Sequence, residues 1–192
     1  MEEMDLREIF AQHHALDEDC LREVEKVAVL RKVPKRTELM HQGEPCRYFY
    51  FNRKGLMRGA HLYNGVEDTV CFGTTGDIFT SLSSYYAGKP SMFSLVAIID
   101  SEVYTISYDD LNRLSEQFPC MVLWMRNLLI EQVYAFEVRY EFFGRYDAET
   151  RYRNFMSLRN GLMRNVPVKY VAQYLKIAPE YLSRIRRRIV GK

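Results

Sequence analysis

The residues with the clearest chemical purpose lie near the C-terminus. Set on a helix over 179–190, Glu180, Ser183, Arg184 and Arg187 gather on one face, while Leu182, Ile185 and Ile189 gather on the other. An arginine can donate two hydrogen bonds to guanine N7 and O6, and a glutamate can accept one from cytosine N4. Glu180 and Arg184 stand one turn apart, so this face has the chemistry to read neighbouring bases in a major groove. Lys169, Tyr170, Tyr181, Arg186 and Arg188 flank it and suit phosphate oxygens, which position a protein without specifying sequence. A plainer reading of Glu180 also stands: an acid in the first turn favours the helix dipole and can pair with Arg184.

Other chemistries are poorly supplied. Cys20, Cys46, Cys71 and Cys120 are widely dispersed, whereas zinc and iron–sulfur sites draw thiolates in close pairs. These cysteines are expected to be buried thiols, and no metal site is expected. His13, His14, His41 and His61 form neither H-x-H nor H-E-x-x-H, so a cupin-type metal enzyme lacks its ligands. The chain is read as a non-enzyme.

Charge points to a polyanion. The 192 residues carry 27 basic and 25 acidic side chains; 11 of the basic ones and a single acid, Glu180, lie in 151–192, so that segment is +10 and the preceding 150 residues are −8. Apolar residues run through the basic segment at helical spacing, so it is a folded unit rather than a solvated tail. Double-stranded DNA is the expected partner. The start of the sequence, MEEMDLREIF, is unlike a secretory signal, and no apolar run is long enough for a membrane. A cytoplasmic protein without membrane contact is expected.

These residues must be positioned by three kinds of element. Residues 4–33 show helical spacing through Leu21, Val24, Val27 and Leu30, predicting one or two short helices that Pro34 stops. From 34 to 107, short β-branched and aromatic runs (48–51, 56–62, 69–72, 95–99 and 103–106) alternate with Gly, Asn, Asp and Pro, predicting an antiparallel barrel or sandwich. Asn64-Gly65 is a hairpin signal, since both residues tolerate positive φ. Helical spacing returns over Tyr108–Gln117 and 120–143. In the longer helix Val122, Met125, Leu129, Gln132 and Phe136 make a 3-4 seam suited to pairing with a second chain, or to packing on its own barrel. Gly144 to Asp147 is expected to be a hinge. Helices follow at Ala148–Leu158, 162–165 after a loop at Asn160-Gly161, Val168–Leu175 and 179–190. The last two, joined by Lys176-Ile177-Ala178, have the pattern of a helix-turn-helix, with Ala172 allowing a close crossing. The expected organisation is a β-roll sensor with flanking helices at 1–117, a dimerisation helix and hinge at 118–144, and a helix-turn-helix at 145–192.

The segment Lys176-Ile-Ala-Pro-Glu-Tyr-Leu-Ser-Arg-Ile resembles the recognition motif of the Crp/Fnr family of bacterial transcription regulators. Glu180, Ser183 and Arg184 fall on the family's recognition positions, and Pro179 replaces its first recognition Arg. The resemblance extends upstream through Leu39-Met-His-Gln-Gly-Glu44, Tyr48-Phe-Tyr-Phe, Lys54-Gly55, Gly76-Asp77 and Asp100-Ser-Glu-Val103, which are similar to the family's cyclic-nucleotide-binding β-roll. It implies an α+β fold: an antiparallel jelly-roll-type β-roll, a long dimer helix and an all-α reading head. The sequence stops soon after the last helix, without the family's usual hairpin wing, a form similar to regulators common in the Bacteroidetes. No N-terminal cysteine cluster supports an oxygen-sensing iron–sulfur centre.

The phosphate cassette departs from the family. Its Gly-Glu and Arg-small positions hold Thr80, Ser81, Ser91 and Met92, and no Arg occurs from Gly59 to Asn112. A buried phosphate without a cation is costly, so cAMP and cGMP are not expected as cofactors. With Leu82, Tyr85 and Phe93, these residues form the expected effector pocket, either holding another small molecule or filled by its own side chains. The resulting expectation is a homodimeric, sequence-specific DNA-binding regulator, with RNA polymerase as a further candidate partner. The alternative is a ligand- or protein-binding β-roll whose basic tail docks on an acidic partner.

Overall fold

The computed structural model describes residues 3–158 and 166–190. The expected loop at Asn160-Gly161 and helix at 162–165 lie outside them. Two short helices, α1 (Leu6–Ala11) and α2 (Glu18–Val27), precede eight strands: β1 (Val29–Val33), β2 (Glu38–Met40), β3 (Tyr48–Lys54), β4 (Met57–Tyr63), β5 (Val66–Gly73), β6 (Ile78–Phe79), β7 (Ser94–Ala97) and β8 (Ser101–Ser107). A short helix, α3 (Leu82–Ala87), interrupts the strands. Helices α4 (Tyr108–Gln117), α5 (Pro119–Arg145), α6 (Ala148–Leu158), α7 (Val168–Leu175) and α8 (Pro179–Val190) complete the fold.

The strands form two four-stranded antiparallel sheets, ordered β1-β8-β3-β6 and β2-β7-β4-β5. Alternation in β3 and β4 is incomplete because both strands are covered on two sides. Between the sheets lie Val33, Met40, Tyr50, Met57, Leu95 and Val103. On the outside of the first sheet, Phe49, Phe51 and Ile106 meet α1, α2, α4 and the root of α5 around Trp124. The Trp124 indole N–H donates to the Phe10 carbonyl at 2.9 Å, and the ring lies against Phe10 at 4.5 Å. Asn64-Gly65 closes β4 onto β5 with φ of 50° and 77°, the two-residue turn whose twist matches that of the strands.

Four expectations about elements need correction. Leu30 is in β1, where it pairs with Tyr104, and Pro34 follows a strand rather than a helix. The Val27/Leu30 spacing of three continues the helical pattern, and pairing of Leu30 with β8 overrides it. Strands β2 and β6 and helix α3 were not separable from loop, being six residues or shorter. Gly144 lies inside α5, and the chain turns at Tyr146-Asp147, where Asp147 Oδ1 accepts from the Thr150 N–H at 2.8 Å. Glycine lowers helix propensity by only about 1 kcal/mol. Phe142 and Phe143 outweigh it, the first packed into the C-terminal core and the second edge-on to Tyr174.

Candidate nucleic-acid interface

Helix α7 ends because Lys176 adopts a left-handed conformation, φ 57°, in which its N–H donates to the Ala172 and Gln173 carbonyls. The Ile177 N–H donates to the Ala172 carbonyl at 3.0 Å, and the chain enters α8 through Pro179, which suits a first-turn position lacking an intrahelical partner for its N–H. Val171, Ala172, Leu175, Leu182 and Ile185 are buried together beneath the pair, with Ile189 partly covered. Burying each large aliphatic side chain is worth roughly 1.5–3 kcal/mol, which fixes which face of α8 turns outward.

That outward face carries Glu180, Ser183, Arg184 and Arg187, all exposed, with Tyr181, Arg186 and Arg188 beside them. Ser183 Oγ donates to the Pro179 carbonyl at 3.0 Å, so its proton is engaged by its own helix. The Arg184 guanidinium lies over the Tyr181 ring, 5.3 Å from its centroid. Arg188 stands 3.6 Å from Glu149 of α6. Lys169 is exposed on α7. Tyr170 does not join this group: its ring lies under the Arg58 guanidinium of β4, 3.9 Å from centroid to carbon.

The contact of Tyr170 with β4 belongs to an attachment that the residue pattern did not reveal. Arg58 is buried, and it donates to Glu67 Oε1 at 2.7 Å and to Thr69 Oγ1 at 3.3 Å. Thr69 Oγ1 donates to Gln173 Oε1 at 2.8 Å, and Gln173 Nε2 donates to the Glu67 carbonyl at 2.7 Å. Lys176 pairs with Asp68. Leu56, Phe72 and Ile98 of the roll are continuous with the core of the head. A cleft of about 520 Å³, lined in part by His61, Tyr63, Gln173 and Lys176, keeps one side of this contact open to solvent. The Asn-Gly turn did place Arg58, Thr69 and Glu67 near one another on the hairpin. No local signal placed α7 above them.

The expected effector pocket comes together only in part. Thr80 Oγ1 donates to the Tyr48 carbonyl at 3.1 Å and lies 2.7 Å from the Tyr108 hydroxyl, which in turn donates to the Ser81 carbonyl at 3.2 Å. Ser81 is buried as the N-cap of α3, and Ser91 Oγ donates to the Phe93 carbonyl at 2.8 Å. Tyr85 stands edge-on to Phe49 and Tyr108, and Leu82 is half-buried. Met92 is a correction: it is 71% exposed, because the turn after Pro90 points it outward, while Phe93 packs toward the space between the sheets. Burial raises the Tyr108 phenol well above its ordinary range. The cassette hydroxyls are engaged by protein groups, and the buried guanidinium of Arg58 is held by Glu67.

Along α5, Met121, Trp124 and Leu128 are buried against the roll. The expected seam faces elsewhere: Val122, Leu129 and Phe136 are exposed, and Met125 and Gln132 are half-buried. Ile130, Val133, Tyr134, Val138 and Tyr140 widen this exposed apolar surface. Among the described residues no helix is long and apolar enough to cross a membrane, and no group of His, Cys, Asp and Glu is placed to hold a metal ion.

This arrangement defines a class: a two-sheet β-roll, a long helix and a basic pair of C-terminal helices. Residues 30–118 match the family model of the cyclic nucleotide-binding domain, and the chain as a whole has the fold of Crp/Fnr-type regulators. The c-di-GMP-responsive global regulator CLP of Xanthomonas campestris superposes with a TM-score of 0.73 at 15% identity, over 91% of this chain and 92% of CLP. FixK2 of Bradyrhizobium japonicum superposes with a TM-score of 0.73 at 22% identity, over 86% and 85% of the two chains. The catabolite activator protein of Thermus thermophilus gives 0.59 at 19% identity, over 93% and 85%. No curated protein matches the sequence.

Proposed function

We propose that this chain is a homodimeric, sequence-specific DNA-binding transcription regulator. One observation carries the reading: the outward face of α8 presents Glu180, Arg184 and Arg187 over an underside in which Leu182 and Ile185 are fully buried, in a segment of charge +10. Glu180 and Arg184 read bases; Lys169, Arg186 and Arg188 hold phosphates. The exposed apolar surface of α5 supports pairing with a second copy, which would present two heads to half-sites about one helical turn apart. Thr80 is engaged by Tyr48 and Tyr108, Ser81 by Ser84, Ser91 by Phe93 and Tyr85 by Asn112, which supports a sensor that does not bind cAMP or cGMP tightly and that responds to another small molecule or to none. The fold shared with regulators supports a non-enzymatic role, with RNA polymerase as a further partner.

Genomic footprinting with wild type and Arg184→Ala tests this. Protected sites that share a two-fold symmetric sequence, and that disappear in the variant, are expected. The second reading, a roll whose basic head docks on an acidic protein, draws on the pairing of Lys176 with Asp68. It requires DNA binding without sequence preference, unchanged by Glu180→Ala or Arg184→Ala.

A further inference from the structure

The face of α7 turned toward the roll carries Tyr170, Gln173 and Lys176, spaced by three residues so that they form one stripe. All three are taken up by strand residues of the β4–β5 hairpin: Tyr170 by Arg58, Gln173 by Thr69 and the Glu67 backbone, Lys176 by Asp68. A helix-turn-helix sets its first helix across the nucleic-acid backbone, where hydroxyl, amide and ammonium groups contact phosphates. In this structure that stripe is occupied by the protein itself, and two carboxylates, Glu67 and Asp68, stand beside it.

We propose that the β4–β5 hairpin is an autoinhibitory latch on the reading head, closed by the Arg58–Tyr170 stack and the Asp68–Lys176 pair. This inference rests on the DNA-binding reading. The latch leaves α8 exposed, so it does not block base contacts. It withholds the α7 stripe from the backbone and holds acidic groups where phosphates must approach. Arg58 is suited to the role because its charge is neutralised by Glu67 within the hairpin, leaving the flat guanidinium face for the tyrosine ring. The cleft beside the contact leaves one edge of the hairpin open to solvent, while Phe72, packed on Phe155 and Tyr174, sets the apolar cost of opening and so favours the closed state. Apparent affinity scales with the fraction of protein unlatched, so loosening the latch tightens DNA binding by up to the closed-to-open ratio.

The test uses only roll-side substitutions, since head residues also touch DNA in the open state. Arg58→Met and, as a milder change at a surface pair, Asp68→Asn are made in the full-length protein. Two measurements are taken: native-state hydrogen exchange of peptides covering 168–176, and affinity for a duplex recovered by wild-type footprinting. Faster exchange in α7, with exchange in β3 and β8 unchanged, together with affinity tightened about three- to tenfold, is the expected result. Unchanged α7 exchange in both variants overturns the latch. Faster exchange with unchanged or weakened affinity overturns its inhibitory role. If neither wild type nor any variant binds any duplex while α7 exchange responds, the DNA-binding reading fails and the inhibitory role fails with it.

Discussion

Salt is the perturbation that interrogates the proposed interface most directly. Each protomer offers Lys169, Arg186 and Arg188 at the flank of α8 and an arginine of the reading face, so about four phosphates per protomer are neutralised and about eight per dimer. At about 0.9 counterion per phosphate, the slope of log affinity against log salt is about −7. Raising salt from about 50 to about 200 mM then weakens binding by about four orders of magnitude. Arg186→Ala removes two contacts from a dimer and should bring the slope to about −5. Arg188 should contribute less than a full contact, because it must leave Glu149, 3.6 Å away, to reach a phosphate. Fluorescence anisotropy with a labelled duplex over a potassium chloride series measures the slope. A value shallower than about −3, or one that Arg186→Ala leaves unchanged, would refute the placement of the head on the nucleic-acid backbone.

Three further outcomes are expected. Trp124→Phe removes the indole donor from the Phe10 carbonyl, which keeps the His13 N–H at 3.2 Å, and leaves a smaller ring in the core; it should lower stability by about 1–2 kcal/mol in urea unfolding, without changing the DNA site. Phe136→Glu places a charge on the exposed face of α5 and should shift sedimentation from dimer toward monomer, with the thermal unfolding of the isolated subunit little changed. Burial and the neighbouring Cys120 thiol push the Cys20 thiol up to about 12, so Cys20 should resist iodoacetamide at pH 8 until denaturant is added; rapid labelling of native protein would contradict its packing.

The helices of the head were legible in the sequence because their signals are local. Pro167 and Pro179 begin α7 and α8, and Leu182 and Ile185 mark the inner face. The Asn64-Gly65 turn was legible for the same reason. Leu30 stands three residues after Val27 and so continues the helical spacing, while the partner that makes it a strand residue, β8, lies more than seventy positions away. Gly144 was read as a break from composition, while ring contacts from Phe142 and Phe143 keep the helix whole. Met92 was placed in the cassette by alignment of positions, but side-chain direction there depends on the turn after Pro90. The Arg58–Tyr170 stack joins residues more than one hundred positions apart and has no local signature.

The uninterrupted course of α5 has a mechanical consequence. Its 27 residues make a rod of about 40 Å, and the head at its far end is fastened back to the roll through β5. Rod and fastening close a ring, so the two must agree in length and phase. One residue added to the rod would turn everything beyond it by about 100° and tear the fastening open, whereas seven would nearly restore the heading at about 10 Å greater reach. The spacing between roll and head is therefore quantised in turns of helix, and length variation in such proteins has to come in those steps or be absorbed elsewhere in the ring.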